Sequence, residues 1–147
     1  MFKGEFKHTV DPKGRLIIPS KFRERLGDAF VVTKGLDGCL FVYDNQEWEA
    51  FEQKLRALPL NRKDNRQFAR HFLAGAADVE VDKQGRILIP FNLREFAGLE
   101  KDVVLVGVAS RIEIWDQDKW NRMQIDEDDE ESVEDIAERM DELGLGF

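Results

Sequence analysis

Cysteine is almost absent from this 147-residue chain. The single Cys39 has no partner for an internal disulfide. With only His8 and His71 beside it, the chain lacks the ligands of a zinc or other transition-metal site. No metal and no cofactor are therefore expected, and Cys39 reads as a small core filler. Long hydrophobic runs are missing as well. No window approaches the ~18 consecutive apolar residues of a membrane span, and Met1-Phe2-Lys3-Gly4-Glu5 has no apolar core of signal-peptide length. The expectation is a reduced, cytoplasmic protein with no membrane partner. Catalytic signatures are lacking too: there is no Ser-His-Asp or Cys-His set, and no glycine-rich phosphate loop follows a strand. A non-enzyme without a small-molecule substrate is expected, and the length excludes a large multidomain enzyme.

What the chain has in excess is charge. Charged residues make up 35% of it, with 22 Lys and Arg against 30 Asp and Glu, a net charge of −8. The average domain has roughly 25%. The acid is concentrated at one end. From Asp116 onward there are thirteen acidic and three basic side chains, which leaves nineteen basic and seventeen acidic in residues 1–115. Residues 1–25 hold seven basic against three acidic side chains, and 55–72 hold Arg56, Arg62, Lys63, Arg66 and Arg70 against Asp64. Basic patches thus persist inside an acidic total, and a polyanionic partner remains open. The 42% hydrophobic content with eleven Phe suffices for a core.

The chain repeats itself. Gly4 to Gly27, GEFKHTVDPKGRLIIPSKFRERLG, aligns with Gly75 to Gly98, GAADVEVDKQGRILIPFNLREFAG. Ten of 24 positions are identical, among them Asp11/Asp82, Gly14/Gly85, Arg15/Arg86, Pro19/Pro90 and Arg23/Arg94. After one inserted residue the match continues through Val31/Val103, Asp44/Asp116 and Trp48/Trp120.

Each unit predicts the same elements. Phe6 to Val10 and Val79 to Val81 are short strands. Leu16-Ile17-Ile18 and Ile87-Leu88-Ile89 are continuous apolar runs of the kind a buried strand shows. Between them lies Asp-x-x-Gly-Arg, a turn in which Gly14 and Gly85 take positive φ while Asp11 and Asp82 accept from backbone N–H groups further on. Pro19 and Pro90 open a short helix that Gly27 and Gly98 close. Third and fourth strands follow at Phe30–Thr33 and Cys39–Tyr43, and at Val103–Val106 and Arg111–Trp115. Asp44 and Asp116 are helix N-caps, and Trp48, Phe51, Leu55 and Leu58 form an apolar stripe before Pro59. A further helix runs from about Arg62 to Leu73. Beyond six acidic residues, Asp126 to Glu131, read as a mobile linker, Ser132 and Asp135 suggest a capping box before Val133, Ile136, Ala137 and Met140.

A unit this small cannot bury a core alone. The two units are expected to interleave about a pseudo-twofold axis into a small barrel: an α+β fold in which residues 1–54 and 75–125 form paired modules, 55–74 a linking helical segment, and 126–147 an acidic tail with a short amphipathic helix. Two copies of Asp-x-x-Gly-Arg, each followed by an apolar triplet, Pro and a short Arg-Glu helix, resemble the swapped-hairpin AbrB-like fold. The duplication within one chain, the start Met1-Phe2-Lys3-Gly4-Glu5, the Trp48 and Trp120 helices and the stretch from Asn65 to Gly75 resemble the MraZ family in particular. The resemblance runs from Met1 to about Gln124. It implies a bacterial transcriptional regulator, expected to be a repressor, of the division and cell-wall operon. It also implies a homo-oligomeric ring of eight or more subunits on repeated DNA boxes, nucleoid-associated in the cytoplasm.

The chemistry of the turn agrees. A guanidinium makes two parallel hydrogen bonds to guanine O6 and N7 in the major groove, each such pair worth ~1–3 kcal/mol of discrimination. Arg15 and Arg86 are the expected base readers. Lys13 reaches a phosphate or base edge, its counterpart Gln84 an adenine edge, and Lys83 a phosphate. Lys3 and Lys7, with Lys21 and Arg23, are weaker candidates for backbone contacts. Asp11, Gly14, Asp82 and Gly85 are expected to support the turns. A second reading makes Asp11–Arg15 and Asp82–Arg86 simple ion pairs that pin the chain reversal. Phe51, Phe68 and Phe72 suggest an apolar surface larger than one barrel covers, hence an interface. The alternative to a DNA regulator is an antitoxin-like or scaffold protein whose main partner is another protein.

Overall fold

The computed structural model describes residues 1–124 and 132–145. The acidic run Asp126–Glu131, read above as a linker, lies outside the described residues. Two compact units are present, Met1–Gln117 and Asp118–Phe147.

The first unit holds twelve elements in the duplicated order the sequence predicts. They are β1 (Phe2–Thr9), β2 (Arg15–Ile17), α1 (Ser20–Leu26), β3 (Ala29–Lys34), β4 (Leu40–Tyr43), α2 (Asn45–Arg56), α3 (Lys63–Gly75), β5 (Ala77–Glu80), β6 (Arg86–Leu88), α4 (Phe91–Ala97), β7 (Asp102–Ala109) and β8 (Arg111–Asp116). Pro19 and Pro90 occupy the N-cap positions of α1 and α4, and Gly27 and Gly98 follow their last residues. Proline sets φ for helix entry and glycine relaxes the exit, so these seven-residue helices are bounded by their own sequence. The Asp44 carboxylate caps α2 by accepting from the Glu47 N–H at 2.7 Å.

The strands pair across the repeat. A six-stranded antiparallel sheet has the order β1-β7-β8-β4-β3-β5, and β2 pairs with β6 in a separate two-stranded ribbon. Four of the six pairings, β1·β7, β3·β5, β4·β8 and β2·β6, join a strand of one repeat to a strand of the other. Each repeat therefore completes its sheet with the other, as the burial argument requires. Closure does not follow. The large sheet is open, with β1 and β5 as its edges. After β1 and β5 the chain turns at Asp11 and Asp82 into three-residue strands that pair with each other instead of extending the large sheet.

One core fills the space beneath. Leu16, Ile18, Phe22, Val32, Leu40 and Val42 of the first repeat meet Ile87, Ile89, Leu93, Val103, Leu105, Ile112 and Ile114 of the second, all essentially inaccessible. Cys39 is buried outside this cluster, where its Sγ donates to the Leu36 carbonyl, and burial pushes its thiol up to about 12. The apolar triplets are not buried throughout. Leu16, Ile18, Ile87 and Ile89 are, but Ile17 and Leu88 point outward, because side chains alternate along a strand and the ribbon has one wet face. The aromatic expectation is likewise only partly met. Phe72 is buried against Phe41, Phe51 and Phe68, whereas Phe68 is 46% exposed.

Helix α5 spans Gln117–Met123, and in the second unit α6 spans Val133–Glu142. The capping box of α6 is formed. Ser132 Oγ accepts from the Asp135 N–H at 3.2 Å, and Asp135 Oδ2 accepts from the Ser132 N–H at 3.1 Å.

Candidate nucleic-acid interface

The two Asp-x-x-Gly-Arg turns are built by the same set of bonds, atom for atom. In the first, the Gly14 N–H donates to the Asp11 carbonyl at 2.9 Å, and the Asp11 N–H to the Arg15 carbonyl at 3.0 Å. Asp11 Oδ1 accepts from the N–H groups of Lys13 and Arg15 at 3.0 and 2.8 Å, and Oδ2 from Arg15 Nε at 2.6 Å. In the second, the Gly85 N–H donates to the Asp82 carbonyl at 3.0 Å, and the Asp82 N–H to the Arg86 carbonyl at 2.8 Å. Asp82 Oδ1 accepts from Gln84 and Arg86 at 2.9 Å each, and Oδ2 from Arg86 Nε at 2.8 Å. The backbone N–H of Arg15, and of Arg86 in the second turn, is the largest influence holding the two carboxyls below the usual carboxylate range; the guanidiniums add to it.

Each turn is fastened to the other repeat. The Ile18 N–H donates to the Gly85 carbonyl at 3.0 Å and the Ile89 N–H to the Gly14 carbonyl at 2.9 Å. In the ribbon, Arg15 pairs with Leu88, Leu16 with Ile87, and Ile17 with Arg86. Two residues of offset along the strands and one strand spacing across put the Arg15 and Arg86 Cα atoms about 8 Å apart. Both arginines are half-buried, and among the described residues their Nη groups make no further hydrogen bond. The ion-pair reading is thus correct as geometry, but it uses only Nε. The edge of the guanidinium that carries Nη1 and Nη2 stays open.

Gly14 and Gly85 do two jobs. Both have positive φ, +93° and +79°, which L side chains rarely adopt. Both also leave room for an arginine of the opposite repeat. A Cβ on Gly14 would lie 2.7 Å from Arg94 Cζ, and one on Gly85 would lie 2.7 Å from Arg23 Nη1. Arg94 Nε donates to the Ile89 carbonyl at 3.0 Å, and its guanidinium lies 5.5 Å from the Phe91 ring centre. Arg23 Nε is buried with no hydrogen-bond partner among the described residues. So α1 and α4 each lay a cation against the turn of the other repeat. Arg94 was not singled out from the sequence and Arg23 only as a weak backbone contact, although both are among the ten identities of the repeat.

Lys13, Lys83 and Gln84 are exposed at the turn tips beside these arginines. Lys3 and Lys7 lie on the exposed face of β1, opposite Val108 and Val104 of β7. Lys7 is close in sequence to the first turn. Lys3 is separated from Thr9 by six residues of strand, ~20 Å, so the fold does not bring it to the turns. Among the described residues no three metal-ligating side chains gather, and no helix is long and apolar enough to cross a membrane.

Comparison with known proteins bears on this arrangement. The family model described as "MraZ protein, putative antitoxin-like" matches twice in succession, over residues 1–71 and 72–143. The division reproduces the internal repeat, and the second match extends past Gln124 into the tail. Proteins named transcriptional regulator MraZ are similar from end to end. That of Acetivibrio thermocellus is 61% identical over 145 residues, which cover 99% of this chain and all of the relative. That of Lachnoclostridium phytofermentans is 59% identical over 147 residues and covers both chains completely. That of Pelotomaculum thermopropionicum is 58% identical over the same span. These relatives are named as regulators of transcription and not as enzymes. A doubled turn motif, a strand exchange between its two copies, a family model matched once per copy and full-length identity of this order place the chain in the MraZ family.

Proposed function

We propose that this protein is a sequence-specific DNA-binding regulator of transcription, with the Arg15–Arg86 ribbon as its reading surface. The observation that carries the reading is the duplicated turn. An aspartate holds the Nε side of each arginine, fixes its rotamer and leaves the two Nη groups to face a partner. A guanidinium so held loses less conformational freedom on binding, and its open edge matches the O6 and N7 acceptors of guanine. A two-stranded antiparallel ribbon fits the major groove. Lys13 and Lys83 at the turn tips supply phosphate contacts, and Gln84 a base-edge contact.

The modules at residues 1–54 and 75–125, joined by 55–74, act as one reading head with two related half-surfaces. Several heads in a homo-oligomeric ring of eight or more subunits would engage repeated boxes together, and linked weak contacts give strong binding where the geometry allows simultaneous engagement. Boxes that recur about every helical turn, ~10 bp, would face one side of the duplex. Family membership supports a repressor at direct repeats upstream of the bacterial division and cell-wall operon, nucleoid-associated in the cytoplasm. The antitoxin-like wording of the family model keeps a protein partner as the second reading.

Selection from a pool of random duplexes tests the proposal. Enrichment of a guanine-containing box, with weaker binding when the guanines are replaced by 7-deazaguanine, is the expected result. A pool that returns no preferred sequence would sink the DNA reading and favour the protein partner.

A further inference from the structure

The outer face of the β2–β6 ribbon carries four side chains, and two of them are aliphatic. Ile17 is 45% exposed and Leu88 58% exposed, while Leu16 and Ile87 between them are buried. Strand alternation makes Ile17 and Leu88 surface residues by geometry. Polar side chains would be expected at such positions on a wet ribbon face, yet both repeats place a branched aliphatic there. The pairing register sets Leu88 directly across from Arg15 and Ile17 directly across from Arg86. Side chains opposed in this way have Cβ atoms ~4.5–5.5 Å apart. The face is therefore two arginine–aliphatic pairs related by the pseudo-twofold axis.

We propose that Ile17 and Leu88 are specificity-determining residues that pack on the C5 methyl groups of thymines one or two base pairs from the guanines read by Arg86 and Arg15. The inference rests on the DNA-binding reading above and deepens it. In the major groove the only apolar group that a base presents is the thymine methyl, and it lies alongside the acceptors that a guanidinium reads. The spacing across each arginine–aliphatic pair compares with one or two steps of ~3.4 Å along the duplex axis. A second copy of this chain is a poorer partner for the same face. Ribbon against ribbon, it would bury the Nη edges of two guanidiniums against a face that offers them no acceptor, and buried donors left unsatisfied are costly.

The test uses the duplex enriched from the random pool by the wild-type chain. Each thymine of the enriched box is replaced by deoxyuridine, which lacks only the methyl group, and Kd is measured by fluorescence anisotropy. Each contacted methyl should weaken binding about fourfold, and two in one site about fifteenfold. The Ile17→Ala/Leu88→Ala variant should bind thymine and deoxyuridine duplexes equally and still discriminate against 7-deazaguanine. About half of each side chain is exposed, so the variant should stay folded with a cooperative thermal transition, at a modestly lower midpoint. Were the variant to misfold, the deoxyuridine series on wild type decides alone. Equal affinity of wild type for the two duplexes, or an enriched box without thymine, would overturn the inference and leave the DNA reading intact. A variant with altered mass in sedimentation and an unchanged thymine-to-deoxyuridine ratio would overturn it in favour of a protein contact. Failure of the pool to yield any preferred box removes the DNA reading itself and this inference with it.

Discussion

The two turn glycines are equivalent in sequence but not in what an added methyl group would displace. Gly14→Ala forces an L residue to φ near +93°, which costs about 1–2 kcal/mol, and sets its Cβ 2.7 Å from Arg94 Cζ and Nε. Arg94 must swing away and give up the 3.0 Å bond from its Nε to the Ile89 carbonyl, about 1 kcal/mol more. Gly85→Ala meets the same backbone cost at φ +79°, but the guanidinium it displaces belongs to Arg23, whose Nε has no hydrogen bond to lose among the described residues. Gly14→Ala should therefore destabilise by about 2–3 kcal/mol and Gly85→Ala by about 1 kcal/mol less. Urea denaturation at one chain concentration measures the difference, expected as roughly 0.3–1 M between the two midpoints for a slope of ~1–3 kcal/mol/M. In an Arg94→Ala background, Gly14→Ala should cost only the backbone part. If Gly85→Ala proved the costlier of the two, or if removing Arg94 failed to relieve Gly14→Ala, the assigned packing of the turns would be refuted.

Further outcomes follow from the same geometry. Arg15→Lys keeps the charge but loses both the Nε contact to Asp11 and the two-pronged edge. Sequence preference in anisotropy should fall about tenfold while the salt dependence stays unchanged. The carboxyls of Asp11 and Asp82 are held below their ordinary 3.8, so their contribution to folding is complete above the unfolded-state value and is lost as pH falls through the lowered folded-state value. A carboxyl-carbon NMR titration should place both midpoints below 3.8, and a midpoint at or above it would contradict the bonding described. Deleting residues 126–147 removes eleven acidic and one basic side chain. Affinity for any duplex should rise at low salt and return to the wild-type value at high salt, where screening removes the effect.

The turns and the short helices were legible because their residues have few alternatives. Proline before and glycine after bounded α1 and α4, and Asp-x-x-Gly-Arg specified a reversal whose bonds are local. The repeat itself made the cross-pairing of strands foreseeable, since neither copy could bury Leu16 or Ile87 alone. Closure into a barrel was not legible. It depends on which edges meet, and nothing local to β1 or β5 records that they stay apart. An unbroken apolar triplet does not say which of its residues faces out, so the outward turn of Ile17 and Leu88 is not legible in it; the pairing partner decides it. Arg23 and Arg94 were undervalued for a related reason. Their role is contact with the opposite repeat, and only their identity in both copies hinted at it.

The central claim is that the paired arginines read sequence. Fluorescence anisotropy across a salt series, with a duplex of spaced direct repeats and a scrambled duplex, tests it on wild type and on Arg15→Ala/Arg86→Ala. The predicted result is that wild type prefers the repeats, and that the double variant loses the preference and shows a shallower salt dependence. A double variant that retains the wild-type preference, or a wild type that binds neither duplex at low salt, would contradict it.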